Sequence, residues 1–258
     1  MVHEKIDLVA KVSPIIKQAG QILLGYFGTP LAKTEKSLNG RSQGFVTDAD
    51  IASENYLIEK LGAIIDGAAF IAEESGNSGK SSDYCWVIDP LDGTTNFAHN
   101  LSYFCISVAL THKDKPVFGM IYQPMLDELF YAHAGKGAYL NGKPIAVALQ
   151  SGSKKMVTIG FASLYSKMVG MAAKQDKPFS MRNFGAMALD LAYIACGRLD
   201  AGVFDKVKWW DMAAGIILIE EAGGIITDFQ GLNTGINSQS CMATSSNQLH
   251  EQLLGLLK

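Results

Sequence analysis

The sequence predicts an α/β fold made of an α+β half, residues 1–143, and an α/β half, residues 144–258, packed as one compact unit. Three observations predict it. Apolar residues recur at helical spacing near the N-terminus, short β-like runs follow one another over residues 68–140 without helices between them, and strand-like and helix-like stretches alternate after Pro144. With 258 residues, 48% hydrophobic and 18% charged, the chain has the length and composition to bury a large core.

Ile6, Val9, Val12, Ile16, Ala19, Leu23 and Phe27 recur at three- and four-residue steps, which predicts a long amphipathic helix ending near Gly25 and Gly28. Residues 31–44 are polar and Gly-containing, carry Lys33, Lys36 and Arg41, and read as a mobile hairpin or loop. A second helix is expected over about residues 50–65. Strands follow at 69–72, 85–88, 104–111, 116–122 and 128–133, and their succession without helices predicts an antiparallel sheet. The second half reads as strand 157–161, helix 185–197, strand 201–204, helix 211–222, strands 224–227 and 241–244, and a closing helix 247–257.

Twenty-two Lys and Arg against twenty-five Asp and Glu give a net charge of −3, and no long basic run is present, so nucleic acid is not the expected partner. Cys85, Cys105, Cys196 and Cys241 stand far apart, without the spacing of a zinc or redox site, and read as reduced thiols of a cytoplasmic protein. The N-terminal residues lack the plan of a secretion signal, and no stretch approaches the ~20 apolar residues that cross a bilayer. No membrane association is expected.

Three stretches place acids beside apolar strand or helix residues: Ala72-Glu73-Glu74-Ser75-Gly76, Trp86 through Phe97, and Trp210-Asp211-Met212-Ala213-Ala214-Gly215. In the middle one an apolar strand runs into Asp89, and Pro90, lacking an N–H, is expected to stop the ladder, so that Asp89 and Asp92 sit on a tight turn. Gly93, Thr94 and Thr95 read as the first turn of a short helix, whose free N–H groups favour an anion. Carboxylates beside an anion site need a cation between them, and Mg²⁺ is held in that way, by a few carboxylates and substrate phosphate. Duller readings exist for each piece: an Asp-Pro or Asp-Gly turn, a solvated loop for Glu73 and Glu74, and a plain N-cap for Asp211. A turn explains neither the paired Thr nor the Asn-Phe that follow. The five histidines fall in no hydrolase motif, and His99 reads as a structural hydrogen-bonder.

Glu73-Glu74-Ser75, Asp89-Pro90-Leu91-Asp92-Gly93-Thr94-Thr95-Asn96-Phe97 and Trp210-Asp211-x-Ala213-Ala214-Gly215 resemble, in that order, the signatures of the inositol monophosphatase family. Val46-Thr47-x-x-Asp50 and Glu221-Ala222-Gly223-Gly224 match as well. The resemblance implies a layered αβαβα sandwich of the inositol monophosphatase and fructose bisphosphatase type, usually a homodimer and often lithium-sensitive, that hydrolyses a small phosphate monoester with two or three Mg²⁺ ions per site. It implies that Glu73 and Asp89, with the Leu91 carbonyl, hold the first ion, that Asp89, Asp92 and Asp211 hold the second, and that a weaker third lies near Glu73. Thr94 with Asp50 would orient or deprotonate the attacking water. The Gly93 and Thr94 N–H groups would grip the phosphate, and Asp92, Gly185 and Asp205 would meet the rest of the substrate.

In one respect the chain departs from the family pattern. Members acting on inositol phosphates often carry a Glu seven positions before the Asp of the third motif, where this chain has Phe204, with Asp205 one place later. Inositol monophosphate or a related polyol phosphate is the expected substrate, because Thr95-Asn96-Phe97 matches that branch. Fructose bisphosphate, histidinol phosphate, adenosine 3′,5′-bisphosphate and a non-catalytic binding module on the same fold are the alternatives.

Overall fold

Asp7 starts the first helix by accepting the Ala10 N–H at 3.0 Å, and α1 (Leu8–Tyr26) then buries Leu8, Val12, Ile16, Ala19 and Leu23 along one stripe. The computed structural model describes residues 2–4, 6–38, 41–148, 154–160, 164, 168, 170 and 179–257, with the backbone alone at residues 2, 36–38 and 41–44. The polar stretch after α1 is a hairpin of β1 (Lys33–Leu38) and β2 (Arg41–Thr47), paired antiparallel. Asn39 and Gly40 lie outside the described residues, as do the side chains of Lys36 and Arg41. Helix α2 (Asp48–Gly62) begins and ends earlier than expected, because Thr47 caps it and Asp50 closes a capping box onto the Thr47 N–H.

Nine elements follow in turn: β3 (Ala69–Ala72), β4 (Gly76–Asn77), β5 (Tyr84–Asp92), α3 (Thr94–Ala98), β6 (Cys105–His112), β7 (Lys115–Gln123), β8 (Glu128–His133), β9 (Ala138–Leu140) and β10 (Lys143–Ile145). Their strands form one sheet in the order β10-β9-β8-β7-β6-β5-β3-β4. The sheet is not wholly antiparallel as expected. β3 and β5 run parallel, because the chain turns back through the short β4 and re-enters in the original direction. Pro90 does not end β5 either. Asp89 pairs with Ser107 and Asp92 with Cys105, so Pro90 and Leu91 together face Ile106 in a bulge that absorbs the missing N–H.

The second half holds β11 (Met156–Ile159), β12 (Ser180–Arg182), α4 (Met187–Ala195), β13 (Ala201–Asp205), α5 (Trp209–Glu221), β14 (Ile225–Thr227), β15 (Ser240–Thr244) and α6 (Asn247–Leu257). Phe161, the expected end of the first of these strands, lies outside the described residues. The sheet order is β12-β11-β13-β15-β14, parallel across β11 and antiparallel on either side of β15.

Alternation along the strands builds three apolar clusters among five structural layers, one of them on both faces of the α4 and α5 layer. Trp86, Ile88, Ile106 and Val108 face α1 and α2, while Val87, Ala109 and Ile121 face α4 and α5 across the sheet. Phe204, Cys241 and Ala243 close that middle layer from the smaller sheet, whose other face carries Val203 and Met242 against Leu249 and Leu253 of α6. Gly119 in β7 lets α5 lie on the sheet, since a Cβ there would come within 2.7 Å of the Ala214 carbonyl.

Candidate active site

Four acids come from three elements: the end of β3, β5 and the first turn of α5. Asp89 sits at the β5 bulge, 2% exposed, and accepts the Leu91 N–H at 3.0 Å. Asp92, at the end of β5, accepts the Ala188 N–H at 2.6 Å and the Met187 N–H at 3.2 Å, so it closes the N-terminus of α4 from a distant strand. Asp211 is not the N-cap of its helix, which is Lys208; it is the third helical residue and accepts the Lys208 N–H at 2.9 Å. Glu73 follows β3, with its backbone N–H on the Ile88 carbonyl at 3.2 Å.

Their proximity shows in their electrostatics. Burial, then the charges of Glu73, Asp92 and Asp211, push the Asp89 carboxyl well above its usual range. Burial likewise pushes Asp92 up to about 7, although N–H groups of α4 oppose it. Asp211 rises to about 8, again through burial and then Asp92, with Lys208 opposing only weakly. Acids so placed fit a hard divalent cation, which would offset the repulsion and take their lone pairs. Among the described residues no three His, Cys, Asp or Glu side chains converge as they stand on one metal position. Asp89, Asp92 and Asp211 each accept backbone N–H groups.

Raised carboxyl pKa values give a pH dependence of definite sign. The native state without a cation binds more protons than the unfolded chain, so the stability these groups contribute is present at low pH and lost as pH rises through about 7 to 8. Metal-stripped protein is therefore expected to melt lower at pH 8.5 than at pH 6.5, with divalent cation reversing the trend. Calorimetry in chelator checks this above the range of His3 and His250, whose pKa values burial lowers.

Beside the acids lies the head of α3. Gly93 caps it at φ 90°, a left-handed position where a Cβ would also meet the Tyr103 carbonyl at 3.0 Å. The Thr94 hydroxyl lies 3.2 Å from Asp50 Oδ1 and 3.0 Å from the Leu91 carbonyl. The remainder of the motif has structural work: Asn96 donates to the Tyr103 and Phe184 carbonyls at 2.8 and 2.7 Å, and Phe97 is buried against Phe27 and Phe104. His99 is exposed. It serves α3 through its backbone N–H, and its side chain makes no hydrogen bond among the described residues.

A cleft of about 220 Å³ opens next to Asp92 and Asp211 and is lined also by Gly185, Asp190, Phe204 and Asp205. Phe204 is 3% exposed and packs over Gly160 and Gly202, while Asp205 ends β13 at the cleft, its Oδ1 on the Lys206 N–H at 2.9 Å. Lys206 adopts φ 57° in the turn between β13 and α5. Asp190 was not among the residues expected from sequence. It is buried at the cleft wall and accepts from the hydroxyls of Tyr103, just before β6, and Thr158 of β11, at 2.6 and 2.7 Å. Its signal is a lone acid within the apolar run of α4.

The layered sandwich and its acid-lined cleft define a fold of the inositol monophosphatase and fructose bisphosphatase type. The chain belongs to the inositol monophosphatase family, whose profile it matches over residues 6–258. It is 36% identical over 221 residues to an inositol-1-monophosphatase of Synechocystis, covering 83% of this chain and 77% of that one. It is also 37% identical over 238 residues to Nus factor SuhB of Escherichia coli K12, covering 89% and 86% of the two chains. Among solved structures, the inositol monophosphatase of Thermotoga maritima superposes with a TM-score of 0.88 at 28% identity, over 98% of this chain and 97% of the other. Among the described residues, no helix is long and apolar enough to cross a membrane.

Proposed function

We propose that the protein is a Mg²⁺-dependent phosphomonoesterase that hydrolyses inositol monophosphate or a related polyol phosphate. The observation that carries this reading is the gathering of Asp89, Asp92 and Asp211, all pushed up first by burial, within electrostatic reach of Glu73 and beside the Gly93–Thr94 backbone, which pairs a cation demand with anion donors. Glu73, Asp89 and the Leu91 carbonyl would hold one ion, and Asp89, Asp92 and Asp211 a second. Bound Mg²⁺ supplies a water of lowered pKa and a counter-charge for the leaving oxygen.

The chain's own groups do the rest. With the Leu91 carbonyl engaged by cation, the single Thr94 proton has Asp50 Oδ1 as its acceptor, and the hydroxyl keeps a lone pair to orient the attacking water. Asp50 is held for that task by the Thr47 N–H at 2.8 Å and the Thr47 hydroxyl at 2.5 Å, both on its other oxygen. The Gly93 and Thr94 N–H groups receive the phosphate, and Gly185 and Asp205 line the space beyond it.

Asp205 stands in for the family's Glu as the acceptor of polyol hydroxyls. Asp205→Ala is expected to raise KM for polyol phosphates about tenfold, ~1.4 kcal/mol, while barely changing KM for a simple aryl phosphate, which makes no such contact. Equal losses on both substrates would remove Asp205 from the polyol pocket.

A second reading, a regulatory binding module, draws on the likeness to Nus factor SuhB. A panel of inositol, sugar, histidinol and nucleotide phosphates, assayed for phosphate release with and without Mg²⁺, separates the two. Polyol phosphates are expected to turn over fastest, and release from none of them under any metal condition would favour the binding module.

A further inference from the structure

Helix α2 presents Asp50, Ser53 and Glu54 at the spacing that shares one helix face, and all three are buried, at 0%, 0% and 3% exposure. Each reaches a different loop of the site. Asp50 meets Thr94, and the Ser53 hydroxyl donates to the Pro90 carbonyl at 3.0 Å, inside the bulge that presents Asp89. Glu54 spends one oxygen on the Glu74 N–H at 2.9 Å and the other on the Ser75 N–H at 2.8 Å.

These two bonds span the turn that carries Glu73. The Glu73 backbone is tied on its other side to Ile88 of β5, one residue before Asp89. Glu73 is thus fixed relative to Asp89 by one bond to the strand and two to α2. Burying a carboxylate is costly, and core contacts alone would not favour one here, since Ala49, Leu57 and Leu61 already seat this helix.

We infer that Glu54 is a positioning residue that sets the cation affinity of the site by holding the Glu73-Glu74-Ser75 turn in register with Asp89. The inference rests on the reading of Glu73 as a metal ligand. Mg²⁺ demands near-ideal octahedral geometry, so a ligand free to drift costs affinity. Groups that orient ligands from behind typically contribute 10- to 100-fold in metal affinity or activity. A Gln at this position offers one acceptor to two N–H groups, leaving one unpaired and the turn loosened.

The test compares wild type, Glu54→Gln and Glu54→Asp in three measurements: Mn²⁺ binding by electron paramagnetic resonance with Mg²⁺ as competitor, melting in chelator, and hydrogen exchange at the Glu74 and Ser75 amides. Glu54→Gln is expected to weaken Mn²⁺ and Mg²⁺ binding about 10- to 100-fold, to speed exchange at those two amides, and to leave melting in chelator within a few degrees of wild type. Glu54→Asp, which keeps the charge but not the reach, should fall between, and it carries the comparison alone if Glu54→Gln does not fold. Unchanged affinity in the folded variants, or lower metal-free melting with wild-type affinity, would overturn the inference and leave Glu54 a fold residue. Failure of the wild-type protein to bind either ion would instead overturn the reading of the site itself.

Discussion

Asp89→Asn is expected to abolish Mg²⁺-dependent phosphate release, leaving less than about a thousandth of the wild-type rate, ~4 kcal/mol in activation free energy. Asp89 is the most buried of the four acids and the one on which the charges of the other three act together. On the proposed reading it is the ligand whose charge both cation positions would share. The fold should survive the change, because an Asn oxygen can still accept the Leu91 N–H, and because losing a buried charge relieves repulsion in the cation-free state. Phosphate release and melting in chelator, measured together, check both halves. A variant keeping more than about a tenth of the wild-type rate, an effect under ~1.4 kcal/mol, would remove Asp89 from the metal centre.

Much of the fold is legible wherever a period is long enough to register. Helices α1 and α6 and strands β3 and β8 are expected from sequence within a residue or two of where they lie, because their apolar stripes or runs are uninterrupted. Strands β4, β9, β10 and β12 have two or three residues each, too few for alternation to show. The parallel pairing of β3 with β5 depends on where a loop crosses, which no local pattern encodes. Pro90 misleads for a physical reason: a bulge tolerates a residue without an N–H, so the strand outlasts the proline.

At the site, the acids stand out because each interrupts an apolar run, and the structure does bring Asp89, Asp92 and Asp211 within electrostatic reach of one another and of Glu73. Their backbone partners were not legible. Asp92 spends its oxygens on amides about 95 residues away, and Asp211 lies two residues inside its helix instead of capping it. Ser53, Glu54 and Asp190 escaped because their roles lie in long-range bonds. Glu54 looks like an ordinary helix glutamate until the turn after β3 folds onto it. The Phe204-Asp205 departure divides along the strand as alternation requires, with Phe204 into the core and Asp205 at the cleft edge.

Removing the cation is expected to have the largest effect of all. Without it, Asp92 and Asp211, with values near 7 and 8, hold protons over much of the neutral range. Binding should thus release protons and strengthen as pH rises through that range. The most direct measurement is phosphate release from inositol monophosphate by metal-stripped protein in chelator, followed by titration with Mg²⁺ past the chelator's capacity. The account predicts no turnover in chelator from a folded protein and recovery of the full rate as free Mg²⁺ appears, whereas full turnover in chelator would contradict it.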